Sequence, residues 1–372
     1  MKNSIRTRRD FLKNMGAAGI GLPLLSLAGN QLPEINKTRM EKKDKLGIAL
    51  VGLGGYATGQ LAPALQQTEH CYLAGIVTGT PSKIPEWQAK YKIPDGNVYN
   101  YQNYESIRNN PDIDIVYVVL PNSMHAEYTI RGFDAAKHVI CEKPMAITVA
   151  DCDRMLAASK KAGKQLSIGY RLHFEPYNLE MARLGTNRIY GELKKMEGAF
   201  AFKAGAGQWR LDKKMAGGGP LMDLGIYVIQ AMCYTSGMEP LSVTAVEGIK
   251  TDTARFPDVE QSISWNFEFP GKLTGTGKAS YDESVNFFGA EADKGRFELR
   301  PAFNYGGQQG TTPQGAMKFP NVNQQARQMD AFALSIKNNT RTIVPGELGK
   351  RDVGYLQAIY EAMHSGKSVK IS

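Results

Sequence analysis

The chain has little cysteine: four residues in 372, Cys71, Cys141, Cys152 and Cys233, with no CxxC pair and no histidine at metal-ligand spacing. Neither a disulfide scaffold nor a metal site is expected. Long hydrophobic runs are missing too. No apolar stretch reaches the roughly 18–20 residues that a bilayer crossing needs, so a membrane-spanning enzyme is not expected. The 39 glycines and 18 prolines follow no period, which excludes a collagen-like chain, and there is no internal repeat. A basic stripe interleaved with aromatics is also absent. The net charge is +9, but seven of the 45 basic residues and only two of the 36 acidic ones lie in the first 40 positions. Without that segment the charge falls to +4 and is dispersed, so a nucleic-acid partner is not expected. What is present is a chain with 42% hydrophobic and 22% charged residues, of a length that suits two domains or one large one.

Thr7-Arg8-Arg9-Asp10-Phe11-Leu12-Lys13 resembles a twin-arginine export signal. A short, weakly apolar run over residues 16–28 follows, and Ser26-Leu27-Ala28 suits a small-residue cleavage site. The alternative is a basic, amphipathic first helix. No cysteine follows the apolar run, so no lipid anchor is expected. Residues 1–28 are therefore read as a Tat signal peptide and 29–44 as a polar, lysine-rich linker or arm. Substrates of that export machinery cross the membrane folded, as a rule with a cofactor already bound. The leader implies a periplasmic destination and a tightly held cofactor.

Residues 45–166 read as a nucleotide-binding domain. Leu46–Val51 is an apolar run of the kind that forms a strand buried on both faces, and it leads into Gly52-Leu53-Gly54-Gly55-Tyr56-Ala57. This fits G-x-G-x-x-G/A: Gly52 for the tight turn, Gly54 for close approach of backbone to a pyrophosphate, Ala57 for helix–strand packing. Residues 57–65 continue as a helix whose N-terminal N–H groups face the phosphates. Further strands are expected at 71–77, 113–120, 138–141 and 165–168, with helices at 123–136 and 149–162 between them. That alternation predicts an α/β fold with a doubly wound parallel sheet. The second strand ends in Val77-Thr78-Gly79-Thr80-Pro81-Ser82-Lys83, with no acid to hold a ribose 2′-hydroxyl. Hydroxyls and a lysine accommodate a 2′-phosphate, so NADP is favoured over NAD.

Glu142-Lys143-Pro144 ends the 138–141 strand. Ligands of open α/β sheets lie outside the carboxyl ends of the strands, so Lys143 is expected to point at the nicotinamide. A lysine there can hold a substrate hydroxyl and help move its proton. In Ala216-Gly-Gly-Gly-Pro-Leu-Met-Asp223-Leu-Gly-Ile-Tyr227, Asp223 and Tyr227 are four apart and share one helical face. Tyr227 is the acid/base candidate beside Lys143, with Asp223 next in line.

The stretches VGLGGYA, LPNSMHAEYTIRGFDAAKHVICEKPMA, IGYRLHFEPYN, QWRL, AGGGPLMDLGIY and DVGYLQAIYEA resemble the glucose–fructose oxidoreductase/inositol dehydrogenase/MocA family, and its glucose–fructose oxidoreductase branch in particular. The likeness spans about residues 46–366. It implies a periplasmic enzyme that passes hydride between C1 of an aldose and tightly bound NADP, recycled in place by a second sugar. It further implies that Gly52, Gly54, Gly55 and Tyr56 hold the pyrophosphate, and that Thr78 and Lys83 face the 2′-phosphate. Leu120, Pro121, Asn122 and His125 would flank the nicotinamide ribose, with Glu142, Lys143, Arg171, Trp209, Arg210 and Tyr305 as further cofactor contacts. Many family members carry histidine where this chain has Tyr227; the glucose–fructose branch carries tyrosine. Two other readings stay open: an NAD-dependent glycosidase of the same superfamily, and a non-catalytic sugar-binding relative.

Residues 167–372 read as a substrate-binding and oligomerisation domain. Residues 193–202, 241–246, 261–269, 273–281 and 296–299 alternate with period two, as one-face-buried antiparallel strands do. The resemblance implies an α+β domain with a mostly antiparallel open sheet, through which a homodimer or homotetramer forms. Residues 303–325 read as a long loop, and 324–337 and 353–364 as helices.

Overall fold

The computed structural model describes residues 43–371; the leader and the linker up to residue 42 lie outside the described residues. β1 (Leu46–Val51) is buried along its whole length, because helices cover both faces of the sheet it centres. β2 (Cys71–Val77), β3 (Val98–Tyr99), β4 (Ile115–Val118), β5 (His138–Cys141) and β6 (Leu166–Ile168) complete that sheet. All pairings are parallel and the order is β3-β2-β1-β4-β5-β6. The order reverses between β1 and β4, so a crevice opens at the carboxyl ends of the strands.

The second sheet has nine strands: β7 (Leu193–Ala201), β8 (Ser242–Glu247), β9 (Ser262–Glu268), β10 (Thr274–Ser280), β11 (Val285–Ala292), β12 (Gly295–Leu299), β13 (Gly310–Thr312), β14 (Gly315–Ala316) and β15 (Val369–Lys370). Their order is β14-β13-β12-β11-β7-β10-β9-β8-β15, antiparallel except between β7 and β10. Along β9 Ile263, Trp265 and Phe267 are buried while Ser264, Asn266 and Glu268 are exposed, as the alternation predicts. The helix Ile226–Ser236 packs on β7 and β10 and separates this sheet from solvent on its inner side.

Three local expectations are corrected. β11 escapes the periodicity reading because Phe287-Phe288 and Gly289-Ala290 break the alternation; it lies between β7 and β12, covered at both edges. Residues 303–325 are not all loop: β13 and β14 form a hairpin that extends the sheet. The helix expected at 353–364 begins at Gly346, and its first turns look polar and glycine-rich in sequence for a packing reason. A Cβ on Gly349 would stand 2.9 Å from both Ile168 Cγ1 and Met145 Cβ.

The helix Gln324–Lys337 stands where expected, but it packs on the parallel sheet rather than within the second half of the chain. Met329, Phe332 and Ala333 join the core under β1 and β2, and Asp330 accepts the N–H groups of Glu69 (2.9 Å) and His70 (2.7 Å). This return crossing brings the helix against the first sheet and the turn Arg171–Phe174.

Candidate active site

The crevice between the strand ends of the first sheet and the inner face of the second forms a cavity of about 990 Å³. Every position singled out above for cofactor or catalysis lines it. At one end lies the glycine turn after β1. Gly52 has φ of +99°, and a Cβ there would stand 2.6 Å from the Val119 carbonyl oxygen, so only glycine fits. Cβ atoms on Gly54 and Gly55 would meet nothing within 4 Å, which leaves the turn's outer surface open to a ligand. Thr78, after β2, is buried, and its hydroxyl accepts the Thr80 N–H at 3.1 Å. Lys83 Nζ donates to the Leu53 carbonyl at 2.7 Å, which tethers the ammonium at the rim of the glycine turn. Among the described residues, the carboxylates lining the cavity are Glu142 and Asp223, away from Thr78, Thr80 and Lys83.

Leu120, Pro121, Asn122 and His125 follow β4. Asn122 Nδ2 donates to the Ala216 carbonyl at 2.8 Å, joining this loop to the glycine turn of the second domain. His125 is buried, with Nδ1 2.8 Å from the Pro144 carbonyl oxygen and Nε2 2.9 Å from that of Leu120. Burial holds its pKa below the usual histidine value. A neutral ring donates to one of the two carbonyls, so His125 braces the ends of β4 and β5.

At the reacting end, Lys143 Nζ donates to Asp223 twice, to Oδ1 at 3.0 Å and to the carbonyl oxygen at 2.8 Å. Asp223 Oδ2 accepts from Arg210 Nε at 3.0 Å and from the Tyr281 hydroxyl at 3.1 Å. Burial favours a neutral Asp223, but Lys143 and Arg210 overcome it and hold the carboxyl at about 2. Burial likewise pulls Lys143 down, yet Tyr227, Asp223 and Glu142 outweigh it, and its pKa lies above the usual lysine value. Lys143 is thus a fixed ammonium and Asp223 a fixed carboxylate.

The Tyr227 ring lies between two cations, 4.7 Å from Lys143 Nζ and 4.9 Å from the Arg171 guanidinium carbon. Arg171 Nε donates to the Tyr227 hydroxyl at 3.3 Å. The rest of that guanidinium holds the Phe303 carbonyl (2.6 Å), the Asn304 carbonyl (2.8 Å) and the Gln324 side chain. It also underlies the Tyr305 ring at 4.5 Å, and Tyr305 faces Tyr56 of the glycine turn at 5.8 Å between centroids. Trp209 packs on Arg210, 4.7 Å from its guanidinium carbon.

Sequence reading missed Tyr281 and the support of Glu142. Tyr281 is 58 residues from Asp223, and its only local mark is its place just after the period-two strand β10. Glu142 accepts from the Tyr117 hydroxyl at 2.6 Å, and Tyr117 accepts from Gln328 at 2.8 Å. Burial pushes the Glu142 carboxyl above the usual range. No sequence signal marks a partner 211 residues away.

Residues 46–170 match the oxidoreductase family with an NAD-binding Rossmann fold, and residues 179–299 match the GFO/IDH/MocA C-terminal domain. The solved aldose–aldose oxidoreductase of Caulobacter crescentus, complexed with glycerol, is 40% identical with a TM-score of 0.85, over 88% of this chain and 99% of that one. D-xylose 1-dehydrogenase (NADP(+)) of Haloarcula marismortui is 25% identical over 341 residues, 87% of this chain and 92% of that protein. D-glucoside 3-dehydrogenase of Escherichia coli is 25% identical over 353 residues, 88% of this chain and 97% of that protein.

Proposed function

Because the chain belongs to the glucose–fructose oxidoreductase/inositol dehydrogenase/MocA family, we propose that it is an NADP-dependent oxidoreductase of aldoses. The carrying observation is Tyr227 held between Lys143 and Arg171 in a cavity whose other end is an open glycine turn. The residues fit NADP: the end near Thr78, Thr80 and Lys83 has hydroxyls and an ammonium, and no carboxylate to repel a 2′-phosphate. When bound, NADP supplies the hydride acceptor. Tyr227, acting as the phenolate, takes the proton from the sugar hydroxyl and becomes the phenol, while Lys143 and Arg171 supply the positive charge against which negative charge develops on the reacting oxygen. Asp223 keeps Lys143 oriented and charged; a carboxyl held at about 2 is a poor base at neutral pH.

The leader supports folding around the cofactor before export to the periplasm. A cofactor retained there needs a second substrate to re-oxidise it in the same site, and the relative named for two aldoses supports such a cycle. The outward face of β8 and β9, where Thr244, Val246, Ser264, Asn266 and Glu268 are exposed, suits pairing with a second copy. Incubating the purified protein with a panel of aldoses, D-xylose and D-glucose included, tests the reading. Reduction of the nicotinamide with formation of the sugar lactone is the expected result. Release of an aglycone from a glycoside with no oxidised sugar accumulating would overturn it in favour of a glycosidase.

A further inference from the structure

Glu260 lies behind the turn that carries Asp223, just before β9, and is 5% exposed. Its Oε2 accepts the Gly219 N–H at 3.0 Å, and its Oε1 accepts the Leu221 N–H at 3.0 Å and the Tyr360 hydroxyl at 2.8 Å. Those two N–H groups open the helical stretch that runs from Leu221 to Ser236, where the first turn has no intrahelical acceptors. No side chain of the stretch itself caps it. A carboxylate from the segment before β9 does so instead, and it also meets the positive end of the helix. The fit is close: a Cβ on Gly219 would stand 2.5 Å from the Glu260 carbonyl oxygen, and one on Gly218 2.0 Å from the Tyr360 hydroxyl oxygen. Behind the turn is a separate cavity of about 410 Å³, whose lining includes Gly217, Gly218, Met222, Glu260 and Tyr360. The turn borders open space on that side, and the hydrogen bonds to Glu260 are among the contacts that set its place. Two residues on, Asp223 gives Lys143 both its carboxylate and its carbonyl.

We propose that Glu260 is a positioning residue: through the Gly219 and Leu221 N–H groups it fixes the turn whose Asp223 orients Lys143. The consequence for turnover rests on the sugar-oxidoreductase reading, whereas the placement of Asp223 does not. Glu260→Gln keeps the side chain's size but turns an amide NH2 towards one of the two backbone donors. In the full-length holoenzyme, kcat for aldose oxidation should fall by about 10- to 100-fold, the scale of loss when a reacting group is misplaced. KM for the aldose and Kd for NADP should stay within about twofold, since the glycine turn after β1 is remote. The Asp223 carboxyl, assigned by its loss in Asp223→Asn and followed by carbon NMR, should titrate above its wild-type value of about 2. The groups that face it are Lys143, Arg210 and Tyr281, and only their distances would have changed. Glu260→Asp, which keeps the charge with a shorter reach, should restore part of the rate; it carries the test if Glu260→Gln does not fold. Tyr360→Phe leaves both backbone bonds and should stay within about threefold of wild type. An unchanged Asp223 titration, a wild-type kcat in the folded glutamine variant, or kcat, KM and Kd worsening together would overturn the proposal. If wild type oxidises no aldose, the functional reading falls, and the Asp223 titration still decides the role of Glu260.

Discussion

Tyr227 offers the cleanest test of the chemistry, because Tyr227→Phe removes one hydroxyl and almost no volume. Its ring keeps its contacts with Phe200 and Phe303, so folding and cofactor content should be nearly unchanged. Single-turnover reduction of bound NADP should slow by about 10²–10⁴, the range for a general acid–base group. A rate within about threefold of wild type would place the base elsewhere. Asp223 is no longer the obvious replacement, since three donors occupy it. Its effect is on stability. The carboxyl is held at about 2 in the folded protein, against roughly 3.9 in an unfolded chain. Its contribution is therefore complete above about pH 4 and is lost as pH falls through 2. Between about pH 5 and pH 2.5, urea unfolding should show wild type losing about 2 kcal/mol more stability than Asp223→Asn. Equal losses would mean that the carboxyl is not held down.

At the scale of elements, β1, β2 and β5 begin and end where the sequence places them, because a strand buried on both faces is one unbroken apolar run. On the proposed reading the turn after β2 selects the dinucleotide. Lys83→Glu puts a carboxylate where a 2′-phosphate would lie, and removes the bond to the Leu53 carbonyl. Binding titrations should show the NADP/NAD affinity ratio falling by about tenfold or more, as for loss of one charge-assisted contact. An equal loss for both dinucleotides would show that Lys83 only braces the glycine turn. β11 and the start of the Gly346–Ser365 helix were illegible for a shared reason: their sequence is fitted to neighbours rather than to a periodic face. Phe287 and Phe288 point to opposite faces, and Gly349 is small because Met145 and Ile168 press on it.

On the scale of the whole molecule, the helix Gln324–Lys337 crosses back to the first sheet, and Gln324 reaches Arg171 at the reacting end. The site is complete only when the first sheet, the Arg171 segment and the Gln324–Lys337 helix have all folded. On the proposed reading the protein is exported folded and loaded, with Arg8 and Arg9 as the address. Arg8→Lys with Arg9→Lys should leave the precursor in the cytoplasm, folded and still holding NADP, as cell fractionation and native mass spectrometry would show. Normal export of the double variant would reject the twin-arginine reading.

By itself the sequence determined the doubly wound sheet, the glycine turn, the Lys143 strand end and the Asp223–Tyr227 helical face. Each is written in neighbouring residues, through apolar runs, fixed spacing or the i, i+4 rule. Only the tertiary structure decided what those groups do to one another. Asp223 is a clamped carboxylate because Lys143, Arg210 and Tyr281 reach it from three other segments, and Tyr227 is flanked by two cations for the same reason. Hydrogen bonds and charges act through distance in space, and the separation of 80 positions between Lys143 and Asp223 carries no trace of the 3.0 Å between their side chains.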